Sequence, residues 1–132
     1  MGWITATALF LQISVQMGTP ILFGTLGGIL GEKTGNLNLG VEGMMIMGAA
    51  VGFKVALATA NPWLAVLAAG IAGALGALIY CIVTVTFKGN QTVTGLALTI
   101  FGTGFAGMLG KSMSGVSLPQ PVLDTFAAYD VP

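Results

Sequence analysis

The residues that decide the fold are Asn61–Gly89, with the sequence NPWLAVLAAGIAGALGALIYCIVTVTFKG. The stretch carries no charge before Lys88, and a membrane-spanning helix needs about 17–25 largely apolar residues. It begins with an asparagine that can cap a helix, a proline suited to the first helical position and a tryptophan typical of the membrane interface. It ends with a phenylalanine, a cation suited to a helix C-terminus and a glycine that can stop the helix. The stretch therefore predicts a transmembrane helix over residues 62–87.

The composition of the whole chain points to the same class. Of 132 residues only 6% are charged and 55% are hydrophobic, and the mean hydropathy is +0.96. A soluble domain has about 25% charged residues, so this chain has too few charges to cover a water-facing surface. Histidine and arginine are absent, which excludes histidine-based catalysis, nearly every zinc site and a basic surface for nucleic acid. The single Cys81 cannot form an internal disulfide, and we expect no cofactor, metal or nucleic-acid partner.

The charged residues divide the chain into apolar runs, which predict spans near residues 4–30, 42–60, 62–87 and 91–110. The second span requires the Lys54 ammonium to reach the headgroups along its flexible stem. Residues 111–132 are rich in proline and serine and predict an extramembrane loop or a truncated tail. The predicted fold class is all-α: a polytopic transmembrane helix bundle, with a broken segment between the first two spans. The charges are Glu32, Lys33, Glu42, Lys54, Lys88, Lys111, Asp124 and Asp130.

Polar and small residues form stripes on three of the predicted spans. On the first span Gln12 and Gln16 share a helical face with two threonines, and this face is suited either to contacts between helices or to a watery path. Pro20 in the same span predicts a kink or local unwinding. Small residues line one face of the third span and, with Thr99, one face of the fourth, which favours close helix packing. The short hairpin at 88–90 predicts that these two spans are antiparallel neighbours.

A polar interruption separates the first two spans at residues 31–43. Two carboxylates, one ammonium, two amides and several glycines lie between apolar segments there, and near-alternation of polar and apolar residues over 36–42 does not continue a helix. Irregular backbone at membrane depth survives where it is buried in protein or lines a water-filled cavity, and broken helices mark the pathway in many transporters. The alternative is an interfacial hairpin whose charges lie among the headgroups.

At these residues the chain resembles a known family. Residues 32–45, EKTGNLNLGVEGMM, are similar to the pattern E-K/R-S/T-G-x-x-N-L/I-G-x-E-G-M-M of permease subunits from nucleoside and simple-sugar ABC importers. These permeases belong to the branched-chain amino-acid and ribose permease superfamily. Residues 19–28, TPILFGTLGG, and 90–98, NQTVTGLAL, resemble two further segments of the family in the same order. The residues that carry the motifs are Glu32, Lys33, Gly35, Asn38, Gly40, Glu42, Gly43, Asn90, Gln91 and Gly95.

The resemblance implies a multi-pass subunit of the bacterial cytoplasmic (inner) membrane that forms part of a translocation pathway. Its partners would be one or more ATP-binding subunits that hydrolyse ATP, a second permease subunit and an extracytoplasmic substrate-binding lipoprotein. Nucleosides and simple sugars are neutral and polar, so amides and hydroxyls suit their path, whereas Glu42 can instead accept backbone N–H bonds of the broken segment. The pathway candidates are Gln12, Gln16, Asn36, Asn38, Glu42 and Thr99.

The lysines do not fix the orientation of the chain in the membrane. Lys33 and Lys88 fall on one side of a four-span arrangement, and Lys54 and Lys111 fall on the other, so the positive-inside rule does not choose between them. The family places the turn at 88–90 in the cytoplasm and the segment 111–132 outside. Its members are longer and have further spans, so we expect an N-terminal portion. The alternative function is that of a small self-assembling structural or pore-forming membrane protein.

Overall fold

The computed structural model describes residues 2–127, and none of these residues forms a strand. The long helices are α1 (Trp3–Lys33), α2 (Val41–Thr59), α3 (Pro62–Cys81) and α4 (Gln91–Lys111), and a short α5 covers Gln120–Ala127. A π-helical turn, Ile82–Thr86, continues α3. Four of these segments are long and apolar enough to cross a membrane: α1, α2, α3 with its π-helical turn, and α4. The all-α class and the four apolar helices predicted from the sequence are confirmed.

The chain divides into two compact units after Asn38, and the first unit is built on α1. This helix runs without interruption through Pro20, and no residue in it is buried. Proline removes the hydrogen bond to the carbonyl four residues earlier, here that of Gln16, yet the helix is not unwound at this point. Of the two sequence predictions for Pro20, local unwinding is therefore wrong.

In the second unit, α2 lies between α3 and α4 and packs against both. A Cβ built at Gly52 would lie 3.1 Å from the Ala65 carbonyl oxygen, whereas one built at Gly76 would lie 3.1 Å from Cγ of Met44. The later residues of α2 thus meet the earlier residues of α3, so the two helices are antiparallel. Small residues make this contact close, as the stripe on the third span predicted.

The helices α3 and α4 contact each other over a short stretch only, because α2 takes most of the packing surface of both. Met44 of α2, Tyr80 of α3 and Leu98 of α4 form one buried cluster where the three helices meet. The sequence predicted that the third and fourth spans are antiparallel neighbours. Their contact is confirmed, but α2 as the central helix was not anticipated.

The ends of α3 and α4 show which residues start and stop a helix. Asn61 accepts hydrogen bonds from the backbone N–H groups of Trp63 (3.0 Å) and Leu64 (3.3 Å), so its predicted capping role is confirmed. Asn90 caps α4 in the same way through Val93 N–H at 3.1 Å. The predicted glycine stop is wrong in detail, because Lys88 holds the left-handed conformation (φ 53°) and Gly89 follows it.

Residues 112–127 contain more structure than the predicted loop. After a turn at 112–115, the chain forms α5, whose Val122 is 2% exposed and packs with Ala56, Ala65 and Leu118. The segment therefore returns to the end of the bundle formed by the C-terminal part of α2 and the start of α3. Asp130 and the other residues after 127 lie outside the described residues.

We expect the Val122→Ala variant to lower the free energy of unfolding by about 1–3 kcal/mol, because it removes two buried methyl groups and leaves a cavity. Leu123→Ala on the same helix is the matched control, since Leu123 is 41% exposed. Both variants can be compared by denaturant titration of the purified protein in detergent. A loss for Leu123→Ala as large as that for Val122→Ala would contradict the packing of α5.

Candidate functional site

The irregular segment between α1 and α2 covers residues 34–40, which is shorter than the polar interruption predicted over 31–43. Residues 31–33 form the last turn of α1, and 41–43 form the first turn of α2. Lys33 lies at the C-terminal end of α1, where a cation is favoured by the helix dipole. The motif thus consists of a helix end, a connecting segment and a helix start.

Gly35 forms the chain reversal that follows the C-terminal end of α1. Its φ is +79°, in the region that favours glycine. The N–H of Asn36 donates to the Gly31 carbonyl at 3.1 Å, and that of Gly35 donates to the Glu32 carbonyl at 2.9 Å. These two bonds form a Schellman motif, which satisfies the last carbonyls of the helix. The sequence signal was a glycine directly after a polar helix end, but Gly35 was singled out only as a residue of the family motif.

We expect Gly35→Ala to raise the free energy of this chain reversal by about 1–2 kcal/mol, because an L-residue with a Cβ is strained at positive φ. The backbone of residues 34–36 should shift toward helical conformation, which Cα chemical shifts measured by NMR in detergent or nanodiscs would detect. Gly28→Ala, where the added Cβ meets nothing within 4 Å, is the control and should leave residues 34–36 unchanged. Unchanged shifts in the Gly35→Ala variant would contradict this role.

The start of α2 combines a glycine N-cap with a carboxylate. Gly40 is the N-cap and is buried, and Glu42 is exposed in the first helical turn. A negative charge in this turn interacts favourably with the helix dipole. That the Glu42 carboxylate accepts backbone N–H bonds of the connecting segment stays a prediction. Its exposure leaves the carboxylate accessible to a polar molecule.

One face of α4 packs very closely against the start of α2. A Cβ at Gly95 would lie 2.8 Å from Leu39 N and 2.9 Å from Gly40 N. A Cβ at Gly43 would lie 2.6 Å from the Leu98 carbonyl oxygen, and one at Gly102 would lie 2.5 Å from the Gly43 carbonyl oxygen. Real Cβ atoms essentially never approach backbone this closely. The two backbones therefore touch, and the order of contacts shows that α2 and α4 run in parallel.

Thr99 lies between these glycines on α4, and its hydroxyl joins the two elements. Its Oγ1 donates toward the Leu39 carbonyl at 3.0 Å and also lies 3.2 Å from the Gly95 carbonyl of its own helix. The structure thus brings together Gly40, Gly43, Gly95 and Thr99, all of which the sequence analysis singled out. Gly102 and the Leu39 carbonyl belong to the same contact and were not among the predicted site residues, although Gly102 lies on the predicted small-residue stripe.

The other predicted site residues lie elsewhere. Gln12 and Gln16 are exposed on α1, and the half-buried Asn36 and Asn38 lie in the part of the connecting segment that belongs to the first unit. Asn90 caps α4 and Gln91 is its first residue. Within residues 2–127, no group of three His, Cys, Asp or Glu side chains could hold a metal ion.

Taken together, the helices define the class of the protein: a multi-pass α-helical membrane protein. Residues 10–131 match the model of the family described as branched-chain amino acid transport system/permease component, and the chain belongs to this family. No solved structure matches the chain.

Three curated relatives are similar to parts or all of the chain. A putative glucose ABC transporter permease protein of Haloferax volcanii is 42% identical over 76% of this chain and 31% of its own length. A guanosine ABC transporter permease protein of Bacillus subtilis is 30% identical over 100% of this chain and 43% of its own length. A nucleoside ABC transporter permease protein of Lactococcus lactis is 33% identical over 62% of this chain. The chain therefore corresponds to less than half the length of the relatives it matches.

Proposed function

We propose that this chain is a permease subunit of an ATP-driven importer and forms part of its translocation pathway for nucleosides or simple sugars. The observation that carries the proposal is the family match over residues 10–131. The relatives named for guanosine, nucleoside and glucose transport support the substrate class. The family match also favours a permease over the self-assembling pore considered as the alternative.

The chemistry of the candidate residues suits a neutral polar substrate. The amides of Gln12, Gln16, Asn36 and Asn38 both donate and accept hydrogen bonds, as the hydroxyl and amino groups of nucleosides and sugars do. Glu42, exposed in the first turn of α2, adds an acceptor of full charge. These side chains are proposed as pathway residues. Thr99 differs from them, because its hydroxyl already has two backbone acceptors.

The proposal includes the partners and the membrane. ATP hydrolysis belongs to separate ATP-binding subunits, a second permease subunit completes the pathway, and an extracytoplasmic lipoprotein delivers the substrate. The location is the cytoplasmic (inner) membrane, in which the helices lie across the lipid bilayer. The family's orientation, with the turn at 88–90 in the cytoplasm and the segment after 111 outside, is part of the proposal.

Uptake by whole cells tests the function and the substrate class together. A strain that lacks the gene is complemented with it, and the initial rates of labelled guanosine, glucose and leucine uptake are compared with those of an empty-vector strain. We expect complementation to restore uptake of guanosine or glucose, and depletion of cellular ATP to abolish that gain. Restored uptake of leucine alone, or of none of the three, would contradict the proposal.

A second measurement separates the proposal from the pore alternative. The purified chain, without partners, is examined in detergent by light scattering and for solute leakage after reconstitution into liposomes. A permease subunit is expected to form no leak by itself. A stable homo-oligomer that releases solutes without ATP would favour the pore.

A further inference from the structure

The Thr99 hydroxyl has two carbonyl acceptors and one proton. The Leu39 carbonyl lies 3.0 Å from Oγ1 and the Gly95 carbonyl lies 3.2 Å from it. A hydroxyl donates one hydrogen bond at a time in good geometry. The Thr99 hydroxyl can therefore donate either to the Leu39 carbonyl before α2 or to the Gly95 carbonyl of its own helix. When the bond to Leu39 breaks, the hydroxyl is still satisfied within α4, so the opening leaves no donor without a partner.

The Thr99 hydroxyl adds a directional bond to a close-packed contact. Gly95 and Gly102 let the backbones of Leu39, Gly40 and Gly43 lie very close to α4, and Met44 of α2 packs with Leu98 of α4 in the same region. Packing of this kind does not fix the direction of any group. The bond from Thr99 to Leu39 is directional and joins residues that are 60 positions apart in sequence.

We propose that Thr99 is a positioning residue that latches the start of α2 onto α4 by donating a hydrogen bond to the Leu39 carbonyl, and that it releases this segment when the hydroxyl rotates to donate to the Gly95 carbonyl instead. The inference rests on the proposed function in one respect: the latched segment directly follows Asn38 in the chain and carries Glu42, two of the proposed pathway residues. Thr99 therefore acts on transport through the backbone of residues 39–43 and not by contact with the substrate.

Hydrogen–deuterium exchange of the full chain in nanodiscs tests the latch without any transport. The first turn of α2 reports on it, since the Met44 N–H donates to the Gly40 carbonyl at 3.0 Å. Thr99→Val keeps the side-chain shape and removes the hydroxyl. We expect the rate of hydrogen–deuterium exchange over residues 39–44 to rise about three- to tenfold in this variant, because the loss of one ordinary hydrogen bond makes the local opening more frequent by about that factor. Thr99→Ser keeps the hydroxyl and should remain within about twofold of the original protein.

Thr103→Val is the matched control. Thr103 lies one turn further along α4, and its hydroxyl bonds only to the Thr99 carbonyl of its own helix, at 2.8 Å. This variant should leave exchange over residues 39–44 unchanged. Equal exchange in the Thr99→Val variant and the original protein, or an equal rise in Thr103→Val, would overturn the latch.

Uptake measurements on the same variants test the positioning role. Thr99→Val is expected to lower the maximal uptake rate, with little change in the half-saturating substrate concentration, and Thr99→Ser is expected to restore the rate. An unchanged maximal rate despite faster exchange would overturn the role in transport. If the original protein shows no uptake while exchange responds as expected, the proposed function fails and the latch stands.

Discussion

Replacing Gly102 with alanine is expected to lower the free energy of unfolding by about 1–3 kcal/mol, the usual cost of overpacking a close contact. The added Cβ would lie 2.5 Å from the Gly43 carbonyl oxygen and 2.8 Å from the Gly43 Cα. Both atoms are backbone, so no side chain can rotate away and α2 must move from α4. The loss should be visible by denaturant titration or thermal unfolding of the purified protein in detergent.

Gly104→Ala is the matched control on the same helix. The added Cβ there meets nothing within 4 Å, and alanine is the better helix former by about 1 kcal/mol. We expect this variant to be as stable as the original protein or more stable. If Gly104→Ala and Gly102→Ala were destabilised equally, the contact between α2 and α4 would not be as close as described.

Substrate uptake is expected to fall about tenfold in Asn38→Ala and in Glu42→Gln, because each change removes polar interactions of the order of a hydrogen bond from the proposed pathway. Both variants should still insert into the membrane at normal levels, since neither substitution changes the apolar character of the spans. Initial uptake rates in the complemented strain, normalised to the amount of the chain in the membrane fraction, measure the effect.

Glu32→Gln is the control for charge. Glu32 is an exposed carboxylate of the same motif but lies in the last turn of α1 and is not a pathway candidate. Its removal should affect uptake much less than that of Glu42. Normal uptake in both Asn38→Ala and Glu42→Gln would reduce the segment to a connecting loop, which is the alternative that the sequence left open.

The helices were predictable because their signals are local. Uncharged runs of sufficient length predict spans, and Asn61 with Pro62 marks a helix start through groups that act on their own backbone. Residues 111–132 were predicted as an extramembrane loop or a truncated tail from their prolines and serines. The short helix α5 within them depends on Val122 reaching Ala56 and Ala65, a contact between distant parts of the chain.

The close contact between α2 and α4 was predictable in part of its residues but not in its geometry. Gly102 lies on the predicted small-residue stripe of α4 and Gly104 does not, and only Gly102 touches the backbone of α2, whereas a Cβ at Gly104 would meet nothing within 4 Å. The stripe indicates a packing face, but which helix it meets is set by the fold. Similarly, Thr99 was a candidate for substrate contact because it is polar, and only the fold shows that Leu39 accepts from its hydroxyl.

ATP-driven accumulation in proteoliposomes tests the central claim most directly. The complex is captured from native membranes through a tag on this chain, reconstituted, and supplied with labelled guanosine or glucose together with the substrate-binding lipoprotein. We predict that one of these solutes accumulates above its outside concentration with ATP and does not with a non-hydrolysable analogue. Equal filling with ATP and with the analogue, or no entry of either solute, would contradict a permease of an ATP-driven importer.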